Sequence, residues 1–186
     1  MGINRNDFLK VSCWPSFRHF SNRNVLVKES SYQIVLDDNV ILPLGRGGFA
    51  EHDMIRGSKI ALVTGEQQTV TKFTKSVDKK LSCTGYAYSL DTGMILNCNF
   101  HYKGGTCNVC AINDFHKTKN IETGEKGVKN CEIYYHKPDI FYMTTEVVLK
   151  GEEFLTDYGE DFNLPHFMQQ QLDMQPTASS SSSSSS

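Results

Sequence analysis

The chain has 186 residues, a formal net charge of −2 and 39% hydrophobic residues, with 11% aromatic residues. This composition is typical of one globular domain with a hydrophobic core. The near-neutral charge gives no basic field that would attract nucleic acid, and no apolar run approaches the roughly 20 residues of a membrane helix. The first residues also lack the apolar core of a secretion signal, so we expect an intracellular protein without direct nucleic-acid or membrane binding.

The six cysteines limit the function in a different way. In an intracellular protein they are expected to stay reduced. Only Cys107 and Cys110 have the spacing of metal ligands, with His101, His116 and Cys131 as possible companions. A zinc ion needs four ligands, and this pair supplies two. We therefore expect reduced, partly buried thiols rather than a metal centre.

The first third of the chain predicts a flanking segment followed by a β-hairpin. Residues 1–28 mix polar and aromatic side chains without a clear period. Residues 32–36 and 40–42 are apolar and β-branched runs that predict two strands joined by a tight turn. Pro43 ends the second of these runs.

Three glycines in four positions follow the hairpin: Gly45, Gly47 and Gly48. Because glycine has no side chain, a backbone of this kind can approach a ligand closely. A phosphate-binding loop receives little support, since the segment lacks a Gly-Lys-Ser/Thr ending. A plain tight turn remains the alternative interpretation.

The middle of the chain alternates predicted strands with polar connections. Strands are predicted within residues 54–63, 86–90, 94–96, 133–135 and 140–143. Residues 69–81 predict a solvated linker or a short helix, and residues 118–128 are a polar, glycine-bearing insertion. Tyr86 and Tyr88 lie two positions apart and are interpreted as aromatic strand residues.

The C-terminal third contains one short apolar run between two turns. Glycine at position 151 predicts a turn, residues 154–156 predict a strand, and Tyr158 follows where Gly159 lets the backbone bend. Taken alone, this segment indicates a strand entry with solvated carboxylates. Residues 169–186 are rich in glutamine and serine, a composition that cannot bury a core, so we expect a disordered tail.

Three stretches taken together resemble the SET-domain protein lysine methyltransferases. Residues 45–50, Gly-Arg-Gly-Gly-Phe-Ala, resemble the opening motif of that family. Residues 111–114 with residues 129–131 resemble its central block, and residues 151–159, Gly-Glu-Glu through Asp-Tyr-Gly, resemble its last core motif. The three occur in the family's order.

The resemblance covers about residues 34–162 and implies a fold and a domain division. The implied fold is mainly β, with several short β-sheets around a pseudo-knotted C-terminal segment. A SET-like domain is expected at residues 29–168, between the flanking segment 1–28 and the tail 169–186. The cysteine-rich regions that flank many histone-modifying relatives are not present in this sequence.

The resemblance also implies an activity. It predicts a protein lysine methyltransferase that uses S-adenosyl-L-methionine, acts on a histone tail and works in the nucleus. Tyr158 is the expected catalytic residue and Tyr86 the second, lining the lysine channel. The positions implied for cofactor binding are Arg46, Gly47, Gly48, Asn113 and Asp114, with Asn130 and Cys131 flanking the same pocket. No metal ligand is implied.

Several departures from the family pattern favour a second hypothesis. Asp114 replaces the usual histidine, and Phe115 replaces the usual serine. Thr156 stands two residues before the tyrosine, where many members carry an aromatic residue that controls how many methyl groups are added. The alternative is a catalytically silent SET-like module that binds a peptide or protein. A metal-binding module built on Cys107 and Cys110 is the third hypothesis.

Overall fold

The computed structural model describes residues 22–35, 41–79, 86–90, 92–99, 107–136 and 139–159. These residues form thirteen short strands and one α-helix. The predicted tail 169–186 and residues 1–21 of the predicted flanking segment lie outside the described residues.

The strands are two to six residues long. They are β1 (Val25–Glu29), β2 (Tyr32–Val35), β3 (Ile41–Pro43), β4 (Arg46–Ala50), β5 (Lys59–Leu62), β6 (Glu66–Thr69), β7 (Ala87–Ser89), β8 (Met94–Asn97), β9 (Asn113–Asp114), β10 (Thr118–Asn120), β11 (Cys131–His136), β12 (Asp139–Thr144) and β13 (Leu155–Thr156). The helix, α1, spans Val70–Asp78, and a short 3-10 helix spans Asn108–Ala111.

The strands form five small sheets, as a mainly β fold of this kind predicts. Their strand orders are β1-β4, β10-β2-β3, β11-β12-β5, β6-β8-β7 and β13-β9. All pairs are antiparallel except β13 and β9, which are parallel. The predicted fold class, mainly β with several short sheets, is confirmed.

Three pairs of consecutive strands form antiparallel hairpins at predicted strand positions. β2 pairs with β3, β7 with β8, and β11 with β12. Gly93 turns the chain between β7 and β8 with a φ of +73°, a value that favours glycine. Of the two interpretations of residues 69–81, the helix is correct for Val70–Asp78, because the Thr69 side chain accepts from the Lys72 N–H at its start.

Two segments differ from the sequence-based expectation. The glycine-rich stretch is strand β4, paired residue by residue with β1, and Gly47 and Gly48 are buried in it. Strand β1 continues across the boundary expected at residue 28, and the domain division itself stays a prediction. The first residues of the expected insertion 118–128 form β10, which pairs with β2 and extends the first hairpin into a three-stranded sheet.

The hydrophobic core includes buried residues of the last motif, residues 151–159, among them Phe154. The largest fully buried side chains include Tyr142, Phe49 and Phe154. Phe154 directly precedes β13, so burial of its ring draws the last strand into the core. Among the described residues, no helix is both long and apolar enough to cross a membrane.

Candidate active site

The C-terminal segment joins the three motifs at one place. The Phe154 N–H donates to the Gly48 carbonyl over 2.8 Å, which ties the last motif to the glycine strand. Leu155 and Thr156 pair in parallel with Asn113 and Asp114, which ties it to the central motif. This interleaving of segments far apart in sequence is the arrangement that a pseudo-knotted C-terminal segment requires.

Asn130 fastens the C-terminal segment from a further side. Its carboxamide nitrogen donates to the Glu153 carbonyl, and its carboxamide oxygen accepts from the Leu155 N–H, both over 2.9 Å. One side chain therefore satisfies two backbone groups of a strand that is only two residues long. The neighbouring Cys131 thiol is fully buried and donates to the Leu155 carbonyl over 3.4 Å. Both residues brace β13, and their expected position beside a cofactor pocket stays a prediction.

The first buried polar group, which we call the carboxylate centre, consists of Glu153 with Ser30, Ser31 and Asn113. The Glu153 carboxylate accepts from the Ser30 hydroxyl over 2.8 Å, the Ser31 N–H over 2.7 Å and the Asn113 amide over 3.2 Å. Burial raises the pKa of Glu153, and these three donors oppose that rise. The centre is a hydrogen-bonded polar network that joins the turn between β1 and β2, strand β9 and the residues just before β13.

The glycine at position 47 is explained by this centre. A Cβ atom added there would lie 2.2 Å from Glu153 Oε1, which no packing can accommodate without movement. At Gly48 an added Cβ would lie 3.1 Å from Val25 and 3.2 Å from Ile112. The close approach expected of these glycines is therefore made by protein groups, and their approach to a cofactor stays a prediction.

Two side chains at the edge of the carboxylate centre retain unused polar capacity. The Asn113 amide donates to the Arg46 carbonyl over 3.0 Å and to Glu153. No described residue donates to the Asn113 carboxamide oxygen, and the exposed Arg46 guanidinium forms no ion pair with the described part of the chain. The partly buried Asn113 thus offers an acceptor, and the exposed Arg46, whose backbone carbonyl it contacts, offers a cation.

Asp114 has a defined structural role at the end of β9. Its buried carboxylate accepts from the Tyr158 N–H over 2.7 Å and from the His116 N–H over 2.6 Å. The His116 ring lies 2.8 Å from the same carboxylate and 3.8 Å from Asp157. Asp114 therefore fixes the backbone of Tyr158, so the aspartate at this position has a structural role.

Three tyrosines form a second polar group, which we call the tyrosine centre: Tyr142, which is buried, and Tyr88 and Tyr158, which are partly buried. The hydroxyls of Tyr88 and Tyr142 lie 3.2 Å apart, and the Tyr158 hydroxyl donates to the Ile112 carbonyl. Burial raises the pKa of each tyrosine well above its usual value, and each of the three is influenced by at least one other. All three hydroxyls stay protonated at neutral pH.

Sequence reasoning named Tyr158 but missed the other two members of the tyrosine centre. It favoured Tyr86, whose carbonyl accepts from the Cys98 N–H over 2.8 Å and which packs against the core. Tyr88 lies two positions later, within β7, and the sequence pattern does not show which of the two tyrosines meets Tyr142. Tyr142 was visible only as part of a β-rich run, and nothing in its spacing linked it to Tyr158.

The sequence by itself has few matches among known proteins. No protein-family model matches the chain, and no curated protein matches it at the level required for a reliable relationship. The comparison with known proteins therefore depends on the fold.

Solved structures that resemble the chain include two of a fungal complex. One is a humanized mutant of the Chaetomium thermophilum Polycomb Repressive Complex 2 bound to an inhibitor, with 18% identity and a TM-score of 0.51 over 76% of this chain. The other is an apo form of ctPRC2 with two substitutions in Ezh2, with 17% identity and a TM-score of 0.51 over 78% of this chain. In each case the match spans 16% of the larger chain. These similarities support a SET-like fold.

Proposed function

We propose that this chain is a protein lysine methyltransferase that uses S-adenosyl-L-methionine. The observation that carries the proposal is the junction at β9 and β13, where the Tyr158 N–H bonds to Asp114 and the glycine strand bonds to Phe154. This junction brings together the three motifs on which the resemblance to SET-domain enzymes depends. The SET-like fold agrees with the same assignment.

The residues around Asn113 suit the amino-acid end of the proposed cofactor. That end carries an ammonium and a carboxylate, which match the Asn113 carboxamide oxygen as acceptor and the Arg46 guanidinium as donor. Gly47 and Gly48 contribute the adjacent backbone, and Asp114 contributes main-chain groups because its carboxylate already serves Tyr158 and His116. When bound, S-adenosyl-L-methionine would supply an activated methyl group.

The tyrosine centre suits the acceptor side of the reaction. A lysine amine must be neutral to attack, and removal from water favours its neutral form. The Tyr158 hydroxyl donates to the Ile112 carbonyl, which fixes its orientation, and we assign its oxygen to accepting from an amine N–H. Its raised pKa excludes it as a base at neutral pH, so we assign it to orienting the amine. Most of the acceleration would come from positioning the two reactants.

The proposed substrate is a lysine in a histone tail, and the proposed location is the nucleus. Both follow from the resemblance to histone-modifying SET-domain enzymes.

A specific observation supports the alternative, a catalytically silent SET-like module that binds a peptide or protein. The Tyr158 hydroxyl and the Asn113 amide both have partners within the chain, so each has a structural role without any reaction.

Two measurements on the purified chain separate these hypotheses. Calorimetric titration with S-adenosyl-L-methionine should show saturable binding, and mixed histones incubated with labelled cofactor should take up label. Binding without label on histones or on a broad protein panel would favour the silent module. Absence of cofactor binding by a folded chain would overturn the methyltransferase proposal.

A further inference from the structure

We propose that Cys98, Cys107 and Cys110 hold a thiophilic metal ion, zinc, in the core next to the 3-10 helix that precedes β9. The three sulfur atoms lie within 4.8 Å of one another. Cys98 and Cys107 are fully buried, and Cys110 is 6% exposed. This inference does not depend on methyl transfer.

The distances suit a single ion. A zinc–sulfur bond is about 2.3 Å long, so sulfurs on one tetrahedral zinc lie about 3.8 Å apart. The Cys107 and Cys110 sulfurs are 3.3 Å apart, and Cys98 completes a compact triangle with them. Small side-chain adjustments would place all three around one ion.

Two separate parts of the fold build this cluster. Cys98 follows β8 and is fixed by its N–H bond to the Tyr86 carbonyl. Cys107 and Cys110 stand at the start of the 3-10 helix and within it, an arrangement that turns both sulfurs to one side. The sequence interpretation considered His101, His116 and Cys131 as companions of this pair. His101 lies outside the described residues, and the structure brings Cys98 to the pair instead.

The segment after β5 supports the sulfurs from a third direction. The Thr64 N–H donates to the Cys107 sulfur over 3.4 Å, a contact that helps to orient this sulfur. At Gly65 an added Cβ would lie 2.9 Å from the Cys98 sulfur and 2.7 Å from the Asn97 carbonyl. Glycine at this position therefore leaves space for the cluster.

Cys131 shows what a buried cysteine without such a cluster looks like in the same core. It is as fully buried as Cys98, and both sulfurs donate to a backbone carbonyl, but the Cys131 sulfur lies outside the cysteine trio. A single buried cysteine behaves as a small apolar side chain. Three converging thiols instead provide the soft donors that zinc selects.

Metal binding would fix the segment that leads into the site. The 3-10 helix Asn108–Ala111 is followed directly by Ile112 and β9. An ion held by Cys107 and Cys110 would therefore fix the chain just before Asn113. Three thiolates leave a fourth zinc position for a ligand outside the trio. Binding would also release thiol protons, so affinity should fall as the pH is lowered.

The test begins with the full chain purified without chelators or a metal-affinity tag. Mass spectrometric metal analysis should find about one zinc per chain, the stoichiometry of a single site. Replacing zinc by Co²⁺ should produce sulfur-to-cobalt charge-transfer absorption, and removing the metal with a chelator should lower the melting temperature. These measurements on the wild-type chain do not require a variant to fold.

Matched variants then locate the site. Cys98→Ser and Cys110→Ser should lose the bound zinc and the cobalt charge-transfer band, whereas Cys131→Ser should keep both despite equal burial at position 131. A folded chain with no zinc and no cobalt band would overturn the proposal, as would undiminished zinc in Cys98→Ser. A Cys107–Cys110 disulfide without metal in chain isolated without reductant would also overturn it. Copper found in place of zinc would overturn the identity of the ion.

Discussion

The carboxylate centre includes Glu153, just before β13, and the tyrosine centre includes Tyr158, just after it, yet the polar groups of the two centres are paired differently. In the carboxylate centre, three donors converge on Glu153, so the charge is satisfied within the protein. In the tyrosine centre, the Tyr158 hydroxyl donates to a backbone carbonyl, and the Tyr88 and Tyr142 hydroxyls pair with each other. The comparison indicates that the carboxylate centre specifies the fold, whereas the tyrosine centre is the one to which we assign the proposed lysine.

The largest expected effect is on Tyr158→Phe, which removes only the hydroxyl. If this group orients the amine, turnover on histones should fall by about 10²-fold or more, typical of losing a positioned polar group. Cofactor affinity should be unchanged, and stability should fall by only about 1 kcal/mol. Steady-state methylation and calorimetry measure both. A variant that methylates as fast as wild type would remove Tyr158 from the reaction.

Asn113 belongs to the carboxylate centre and to the proposed cofactor site, so its variant sharpens the comparison. Asn113→Ala should weaken cofactor binding by about 1–3 kcal/mol, the cost of leaving a buried polar partner unpaired. Ser30→Ala is the matched control, because it removes a different donor to Glu153. Calorimetry should show lost affinity in the first variant only. Equal cofactor affinity in both folded variants would exclude Asn113 from the cofactor site.

Gly47→Ala tests whether the carboxylate centre is structural. The added methyl would lie against the Glu153 carboxylate, so the free energy of unfolding should fall by about 1–3 kcal/mol, as for other overpacked sites. Chemical denaturation measures this loss. Combining it with Glu153→Ala, which makes room, should cost less than the sum of the two single variants. Additive losses would contradict the contact between the two positions.

Tyr88→Phe should lower turnover less than Tyr158→Phe does, and it should lower stability no more than Gly47→Ala does. It removes the hydroxyl that lies 3.2 Å from the Tyr142 hydroxyl, so stability should fall by about 1 kcal/mol. Turnover should fall less than in Tyr158→Phe, since Tyr88 only lines the acceptor side. Tyr135→Phe, on an exposed part of β11, is the control for both thermal melting and activity. A loss as large as that of Tyr158→Phe would give Tyr88 the central role.

The smallest expected effect is a pH dependence from Glu153. Because burial raises its pKa, the folded state holds the Glu153 proton more tightly than the unfolded state. The free energy of unfolding should therefore fall as the pH rises from the usual glutamate pKa of about 4.3 through the raised value. Denaturation of wild type and Glu153→Gln across this range isolates the contribution. Glu152→Gln, at the exposed neighbouring position, is the control, and an opposite slope would refute the raised pKa.

The sequence was sufficient for the local elements because their signals are local. The β2–β3 hairpin and the Gly93 turn follow from apolar runs and turn residues. The SET-like resemblance rested on short motifs whose order survives in the sequence.

Contacts between distant segments were beyond sequence reasoning. Alternation along a strand does not reveal that Cys98 meets Cys107, or that Tyr88 meets Tyr142. The glycine stretch was misplaced for the same reason, since only the position of Glu153 shows why Gly47 belongs in a strand.

The parallel pairing of β9 with β13 has a consequence for how the chain acquires its site during synthesis. Tyr158 bonds to Asp114, which precedes it by 44 positions, and Phe154 bonds to the still earlier Gly48. Contacts of such high sequence separation form late, because the intervening chain must first be ordered. While residue 158 is still inside the ribosome, the nascent chain can form its early hairpins. It can complete neither the carboxylate centre nor the tyrosine centre. The site can therefore form only after the last motif, residues 151–159, has emerged from the ribosome.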